Sequence, residues 1–135
     1  MLTVLETHPV QYHAPVYRYL AQSCGVCVSA VYGSDFSVAG YQDAEFGTQV
    51  AWDTDLLSGY PHQFLSHRAT GGAASYDEVV PAGLLPAVQG IQPNALMVLG
   101  YWHPFDRAAI QVARQLGLPL FFRGETNDAA VNRAW

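Results

Sequence analysis

Residues 2–22 read LTVLETHPVQYHAPVYRYLAQ, and they contain a strand, a polar connector and a helix in direct succession. The apolar run 2–7 is typical of a buried strand, and a helix is predicted over 16–22. The connector carries two imidazoles, an amide and a phenol, with no Gly-x-Gly turn. Ligands of open parallel α/β sheets bind at the carboxyl ends of the strands. The connector therefore predicts a polar, hydroxylated ligand rather than a dinucleotide.

Further strands and helices alternate along the chain. Apolar strands are predicted at 26–32, 95–99 and 120–123, with short strands at 48–52 and 63–65 and helical stretches at about 81–90 and at 104–116. The last of these has its apolar residues on one stripe, Pro104 at its first position, and Gly117 and Pro119 after it. This order predicts a three-layer, Rossmann-like α/β domain with a mainly parallel sheet. The four main strands are expected to lie side by side at its centre.

Length and composition limit the function classes. The chain has 135 residues, enough for one domain, and residues 1–135 are predicted to form it. Its formal charge is −5, and the absence of a Lys/Arg-rich run speaks against a nucleic-acid partner. No apolar stretch approaches the roughly 20 residues of a membrane span, and the N-terminus lacks the basic start of a signal peptide. Cys24 and Cys27 are interpreted as small packing residues in a reducing cytoplasm.

Four blocks of the chain, in order, resemble one group of bacterial proteins. The first is THPVQYHAP at 7–15, and the second is YGSDFSV at 32–38 with Gly40-Tyr41 and Phe46-Gly47. Trp52-Asp53 with LLSGY at 56–60 forms the third, and FRGE at 122–125 forms the fourth. Together they make the chain similar to the N-terminal, acceptor-side domain of bacterial family 4 glycosyltransferases.

That resemblance implies one half of a GT-B fold, in which two Rossmann-like domains face each other across a cleft. It implies a small-molecule or glycan acceptor on this half, and a nucleotide-sugar donor held mainly by a C-terminal Rossmann-like domain as partner. The donor is a substrate, so no resident cofactor is expected. Membrane association of the longer protein is left open. The chain stops just after a predicted helix begins, so truncation at its C-terminal end is also expected.

Candidate acceptor-binding residues are His8, Gln11 and Tyr12, all on the connector after the first strand. Tyr12 is equally well explained by packing. His13 is interpreted as a polar residue of the strand–helix turn, with its side chain in water. Many family members carry a Gly-Gly turn where this chain has His8-Pro9, which argues against a backbone cradle for the donor phosphate here.

Candidate catalytic residues are His103 and Glu125. His103 follows the strand at 95–99 and directly precedes a helix, whose positive N-terminal end favours a neutral imidazole. Such an imidazole accepts a proton or a hydrogen bond from a sugar hydroxyl. The alternative is a helix-capping His without a ligand. Glu125 follows the last strand, and the resemblance carries its assignment, because a first-turn acid also complements a helix dipole.

The sequence lacks the motifs of metal sites, phosphate-binding loops and serine hydrolases. No His-x-x-x-His pair with a nearby third ligand supports zinc, and the acids between 35 and 55 lack calcium-loop spacing. A metal site is therefore not predicted. Gly71-Gly72 lacks the Lys-Ser/Thr of a phosphate-binding loop, and no Gly-x-Ser-x-Gly motif occurs.

Three functions remain open. The first is the acceptor-binding half of a glycosyltransferase of carbohydrate biosynthesis, inactive without its second half. The second is a nucleotide-sugar epimerase-like GT-B half, although Gln11-Tyr12 interrupts the pattern expected there. The third is a non-catalytic α/β binding module. A receiver domain is disfavoured because Glu6 is the lone acid near the end of the first strand and the chain has no Lys.

Overall fold

The computed structural model describes residues 1–39, 41–42, 49–50 and 54–124. Its strands are Leu2–Glu6 (β1), Val28–Tyr32 (β2), Tyr41–Gln42 (β3), Gln49–Val50 (β4), His62–Phe64 (β5), Ala95–Val98 (β6) and Leu120–Phe122 (β7). Its helices are Ala14–Ser23 (α1), Phe36–Ala39 (α2), Leu84–Ile91 (α3) and Pro104–Leu116 (α4), with 3₁₀ turns at Arg68–Thr70 and Tyr76–Glu78. No helix in these ranges is long and apolar enough to cross a membrane.

Five strands form one sheet in the order β5-β2-β1-β6-β7, and every neighbouring pair is parallel. The predicted α/β class is therefore confirmed. The four main predicted strands are adjacent, as expected. β7 nevertheless lies at the outer edge of the described sheet rather than at its centre, because no described segment pairs with its far side. β3 and β4 form a separate antiparallel pair.

Helices and loops cover both faces of the sheet and give it three layers. Successive residues of a strand point to opposite faces, so Val4 packs on the α1 side of β1 and Leu5 on the α3 and α4 side. Both side chains are fully buried. Burial of this kind stabilises the fold by about 1.5–3 kcal/mol per side chain. It also explains why β1 reads as a continuous apolar run.

The longest helix has the predicted bounds. α4 begins at Pro104 and ends at Leu116, it buries Phe105, Ala109 and Val112, and Gly117 follows it with a φ of 64°. α1 begins at Ala14, two residues before the predicted start, because the carbonyl of His13 already accepts the N–H groups of Val16 and Tyr17. Gly25, with a φ of 64°, follows its C-terminal end.

Three local features differ from what the sequence predicted. The helix expected from about residue 81 begins at Leu84, after Gly83 in a left-handed conformation. The one-turn helix α2 was not predicted, because four residues are too few for a helical period; the hydroxyl of Ser34 accepts the N–H of Phe36 at its start. Cys24 and Cys27 are both exposed rather than packed, since each lies in the turn between α1 and β2.

The order of the strands places a crevice beside β1. From β1 the chain moves to β2 and then β5 on one side, and α3 carries it back to β6 on the other side. The connections after β1 and after β6 therefore leave the sheet in opposite directions. Such a reversal opens a crevice at the carboxyl ends of the two strands, the usual ligand site of open α/β sheets.

Two glycines provide a matched test of this packing. A Cβ on Gly33 would overlap Cγ1 of the buried Val79 and lie 3.0 Å from the carbonyl oxygen of Thr7. We expect Gly33→Ala to lower the free energy of unfolding by about 1–3 kcal/mol. Gly90 lies in α3 with open space where a Cβ would be. Gly90→Ala should therefore raise the free energy of unfolding by about 0.5–1 kcal/mol. Urea denaturation measures both; equal effects would contradict the close packing at Gly33.

Candidate functional site

A cleft of about 420 Å³ lies at the carboxyl ends of β1 and β6, where the strand order reverses. Its volume is in the range of small-molecule sites. The polar and aromatic side chains that line it include Glu6, His8, His13, Tyr76, Trp102 and Asp106. Gly124, just after β7, completes the wall from the far side. Segments that are far apart in the sequence therefore meet around one concave surface.

A buried carboxyl–imidazole pair lies beneath this surface. Glu6, the last residue of β1, and His13, which precedes α1, are both more than nine-tenths buried. Oε1 of Glu6 and Nδ1 of His13 are 2.6 Å apart. Burial raises the pKa of Glu6, and His13 opposes that rise. The hydroxyl of Tyr17 also acts on this carboxyl group through a side-chain hydrogen bond and lowers its pKa. Nε2 of His13 has no hydrogen-bond partner in the described residues.

His8 is the imidazole on the cleft surface that is open enough to meet a ligand. It is partly buried, and its Nδ1 lies 2.9 Å from the hydroxyl of Thr7. Its ring packs against the ring of Phe36, with centroids 4.6 Å apart. Burial lowers the pKa of His8 to about 4, and the nearby His13 and His103 act in the same direction. The ring is therefore neutral at pH 7. Its Nδ1 is engaged by Thr7, which leaves Nε2 for a ligand.

His103 caps helix α4. Its Nδ1 accepts the backbone N–H of Phe105 at 3.1 Å, and its own N–H donates to Oδ2 of Asp106 at 3.3 Å. The side chain is buried, and its ring packs on the ring of Tyr76 with centroids 4.5 Å apart. Its Nε2 has no hydrogen-bond partner in the described structure. These contacts match the capping alternative for His103. The residue thereby orients the α4 end and Tyr76 beside the cleft.

Gly100 allows Asp106 to approach the end of β6. A Cβ on Gly100 would lie 2.5 Å from Oδ2 of Asp106, so any larger residue would displace this carboxyl group. Burial raises the pKa of Asp106, while the hydrogen bond from the backbone of His103 opposes the rise. The carboxyl group thus belongs both to the cap of α4 and to the cleft wall.

Aromatic side chains form the outer part of the cleft wall. Trp102 is 81% exposed, and Tyr101 and Tyr76 are each close to half exposed. Large aromatic residues are rarely left this open, and apolar surface gathered around a cleft is typical of a binding groove. The floor of the cleft therefore holds the polar groups of Glu6 and His13 beside the apolar side chain of Leu5, and its rim is aromatic.

The other predicted site residues are placed differently. Gln11 and Tyr12 lie on the turn before α1, are exposed and do not belong to the cleft wall. The ring of Tyr12 packs edge-on against His13, with centroids 4.5 Å apart. Glu125 lies outside the described residues. Of the predicted set, His8 and His103 are brought together at the carboxyl edge of the sheet.

The Glu6–His13 pair was missed at the level of sequence. His13 was expected to have its side chain in water, but it is buried, because the turn at 8–13 folds back over the end of β1. A signal was present: an acid in an otherwise apolar, buried strand requires a partner. The histidine seven residues later was a nearby candidate. Tyr76 carried no comparable signal, since its position depends on a long loop.

The described residues contain no group of three or more His, Cys, Asp and Glu side chains arranged to hold a metal ion. Comparison of the chain with known protein families, curated proteins and solved structures found no match. The functional proposal below therefore depends on the geometry of the cleft and on the sequence patterns.

The neutral state of His8 predicts a pH-dependent stability. The unfolded chain protonates this imidazole near its ordinary pKa of 6.5, whereas the folded chain resists protonation down to about 4. The stabilisation is therefore complete above 6.5 and is lost as the pH falls toward 4. Between pH 7.5 and 4.5 we expect His8 to account for a loss of about 2 kcal/mol.

Urea denaturation of the chain and of His8→Asn at both pH values measures this loss as the difference between the two pH responses. His62→Asn, which removes an exposed imidazole, is the matched control substitution. An identical pH response in the chain and in His8→Asn would contradict the buried, neutral assignment.

Proposed function

We propose that this chain is the acceptor-binding half of a glycosyltransferase, which moves a sugar from a nucleotide-sugar donor to a hydroxyl group of an acceptor. The observation that carries the proposal is the cleft beside β1, with polar groups on its floor and an aromatic rim. Sugars present hydroxyl groups around a ring with apolar faces, and the two parts of this cleft suit these two features. The resemblance of four sequence blocks to family 4 glycosyltransferases supports the same function.

His8 is the residue to which we assign direct contact with the acceptor. If Nδ1 of His8 donates to the Thr7 hydroxyl, Nε2 accepts a hydrogen bond from a hydroxyl group of the sugar acceptor. If the Thr7 hydroxyl instead donates to Nδ1, Nε2 carries the proton and donates the hydrogen bond. In the first arrangement the neutral ring is also able to take the hydroxyl proton. We assign this task to His8 rather than His103, since the Nδ1 of His103 is engaged at the helix cap and its Nε2 is buried.

The donor half belongs to the proposal as a partner. A second Rossmann-like domain would hold the nucleotide sugar and stabilise the charge that develops on its leaving phosphate. Closure of the two halves would exclude water from the acceptor hydroxyl. A cytoplasmic location is also proposed, and the two free cysteines are in keeping with a reducing compartment.

Ligand binding tests this assignment directly. We expect neutral glycans, titrated into the ¹⁵N-labelled chain, to shift the amide signals of Thr7, His8, Gly100 and Trp102 before those elsewhere. His8→Ala should weaken this binding by at least about tenfold, because it removes one hydrogen-bonding group. Circular dichroism of the variant separates this effect from the destabilisation expected when the ring is removed from Phe36 and Thr7. Shifts at the cleft caused by nucleotide sugars alone would instead favour the epimerase-like alternative.

Turnover separates the proposed half-enzyme from a complete one. Incubation of residues 1–135 with nucleotide sugars and glycan acceptors should give no transfer, because the groups that stabilise the leaving phosphate are assigned to the second domain. Product formation followed by mass spectrometry is the measurement. Transfer above the uncatalysed rate would overturn the division into halves.

A further inference from the structure

We propose that the cleft selects an uncharged sugar ring and discriminates against acceptors that carry a phosphate or carboxylate group, with the apolar face of the ring stacked on Trp102. The proposal rests on the proposed function and adds the substrate class. It follows from the charges around the cleft, from the way the two neighbouring helices are capped, and from the exposed indole.

The side chains of the cleft wall offer no partner for an anion. Neither lysine nor arginine is among the described residues that line it, whereas Glu6 and Asp106 contribute two carboxyl groups. Arg107 lies outside the lining, and its guanidinium group donates to the backbone carbonyl of Trp102 at 2.6 Å. An anionic group of a ligand inside the cleft would therefore lose its hydration and meet the carboxyl groups of the wall. Hydroxyl groups meet no such penalty, because carboxyl and imidazole groups accept and donate hydrogen bonds.

The helix N-termini beside the cleft are also closed to anions. A phosphate in an α/β fold usually binds to free N–H groups at such a terminus. At α4, Pro104 has no N–H, and His103 and Asp106 form a reciprocal capping box. At α1, Pro15 has no N–H, and the carbonyl of Val10 accepts the N–H groups of His13 and Ala14, each at 3.1 Å. The chain itself therefore satisfies the groups that would hold a phosphate.

His8 does not supply a positive charge to the cleft surface. The folded environment lowers the pKa of His8 to about 4, so its ring is neutral at pH 7. His13 is paired with the carboxyl group of Glu6, and His103 uses Nδ1 as a hydrogen-bond acceptor for the α4 cap. The polar groups of the floor are thus suited to hydroxyl groups rather than to a charged substituent.

Trp102 provides the complementary apolar surface. Trp102 lies two residues after Gly100, in the segment that follows β6, and it lines the cleft. Its side chain is 81% exposed. The electron-rich face of an indole attracts the weakly positive C–H groups on one face of a sugar ring. A ligand on this residue would cover apolar surface that is now open to water, while its hydroxyl groups at the ring edge reach the polar groups of the floor.

Matched ligands test the charge preference. We would titrate the ¹⁵N-labelled chain at pH 7.5 with methyl glycosides of common hexoses, and with the corresponding uronic acids and 6-phosphates. The expected result is binding of at least one neutral glycoside, with its anionic counterparts at least about tenfold weaker. Equal or tighter binding of the anionic sugars would overturn this inference but leave the proposed function standing. If no sugar of any class shifts the cleft signals, both fail.

Two pairs of variants test the residues themselves. Trp102→Ala should weaken binding of the neutral glycoside at least about tenfold, whereas Tyr19→Ala removes a similarly exposed aromatic ring from outside the cleft wall and should not. Glu6→Gln and Asp106→Asn keep an oxygen atom for the existing hydrogen bonds but remove the ionisable carboxyl group. Each substitution should reduce the difference in binding affinity between neutral and anionic sugars. Asp106→Asn tests the carboxyl group even if Glu6→Gln fails to fold, and an unchanged difference in a folded variant would contradict the role of the carboxyl groups.

Discussion

Strand β1 is hydrogen-bonded on both sides, to β2 and to β6, and its side chains are buried on both faces. A strand in this position has no freedom to slip, because a shift by one residue would exchange the sets of side chains that face the two helical layers. The neighbouring strands take their register from it. Since the chain leaves β1 and β6 in opposite directions, the same constraint produces the crevice that becomes the cleft.

Glu6 lies at the point where this rigid strand meets the cleft. Its carboxyl group is buried, and the hydrogen bond to His13 ties the end of β1 to the start of α1. Unpartnered buried groups are costly in free energy, and proteins retain them where they have a task. Here the imidazole nitrogen of His13 without a partner lies beneath the surface on which His8 is held neutral. The electrostatic character of the cleft is thus set by burial and by neighbouring groups rather than by any single residue.

The helix caps have a comparable double role. His103 and Asp106 close the N-terminus of α4, and Asp106, which Gly100 leaves room for, is at the same time part of the cleft wall. In a nucleotide-binding α/β domain this position would offer free N–H groups to a phosphate. Here the internal cap replaces the ligand. The stability of the helix end and the proposed preference for uncharged sugars therefore have one physical origin.

Local patterns in the sequence determined the order of the main strands and helices, the bounds of α4, the parallel α/β class and the position of His8 at the carboxyl edge of the sheet. These features follow from hydrophobic periodicity, proline and glycine signals and the rules of strand connection, all of which act over short stretches. Tertiary structure alone decided that His13 pairs with Glu6, that His103 is taken up by a helix cap, and that Tyr76 and Trp102 share one rim. Those contacts join residues whose approach depends on how the loops fold over the sheet, and the burial that sets their charge exists only once the chain has folded.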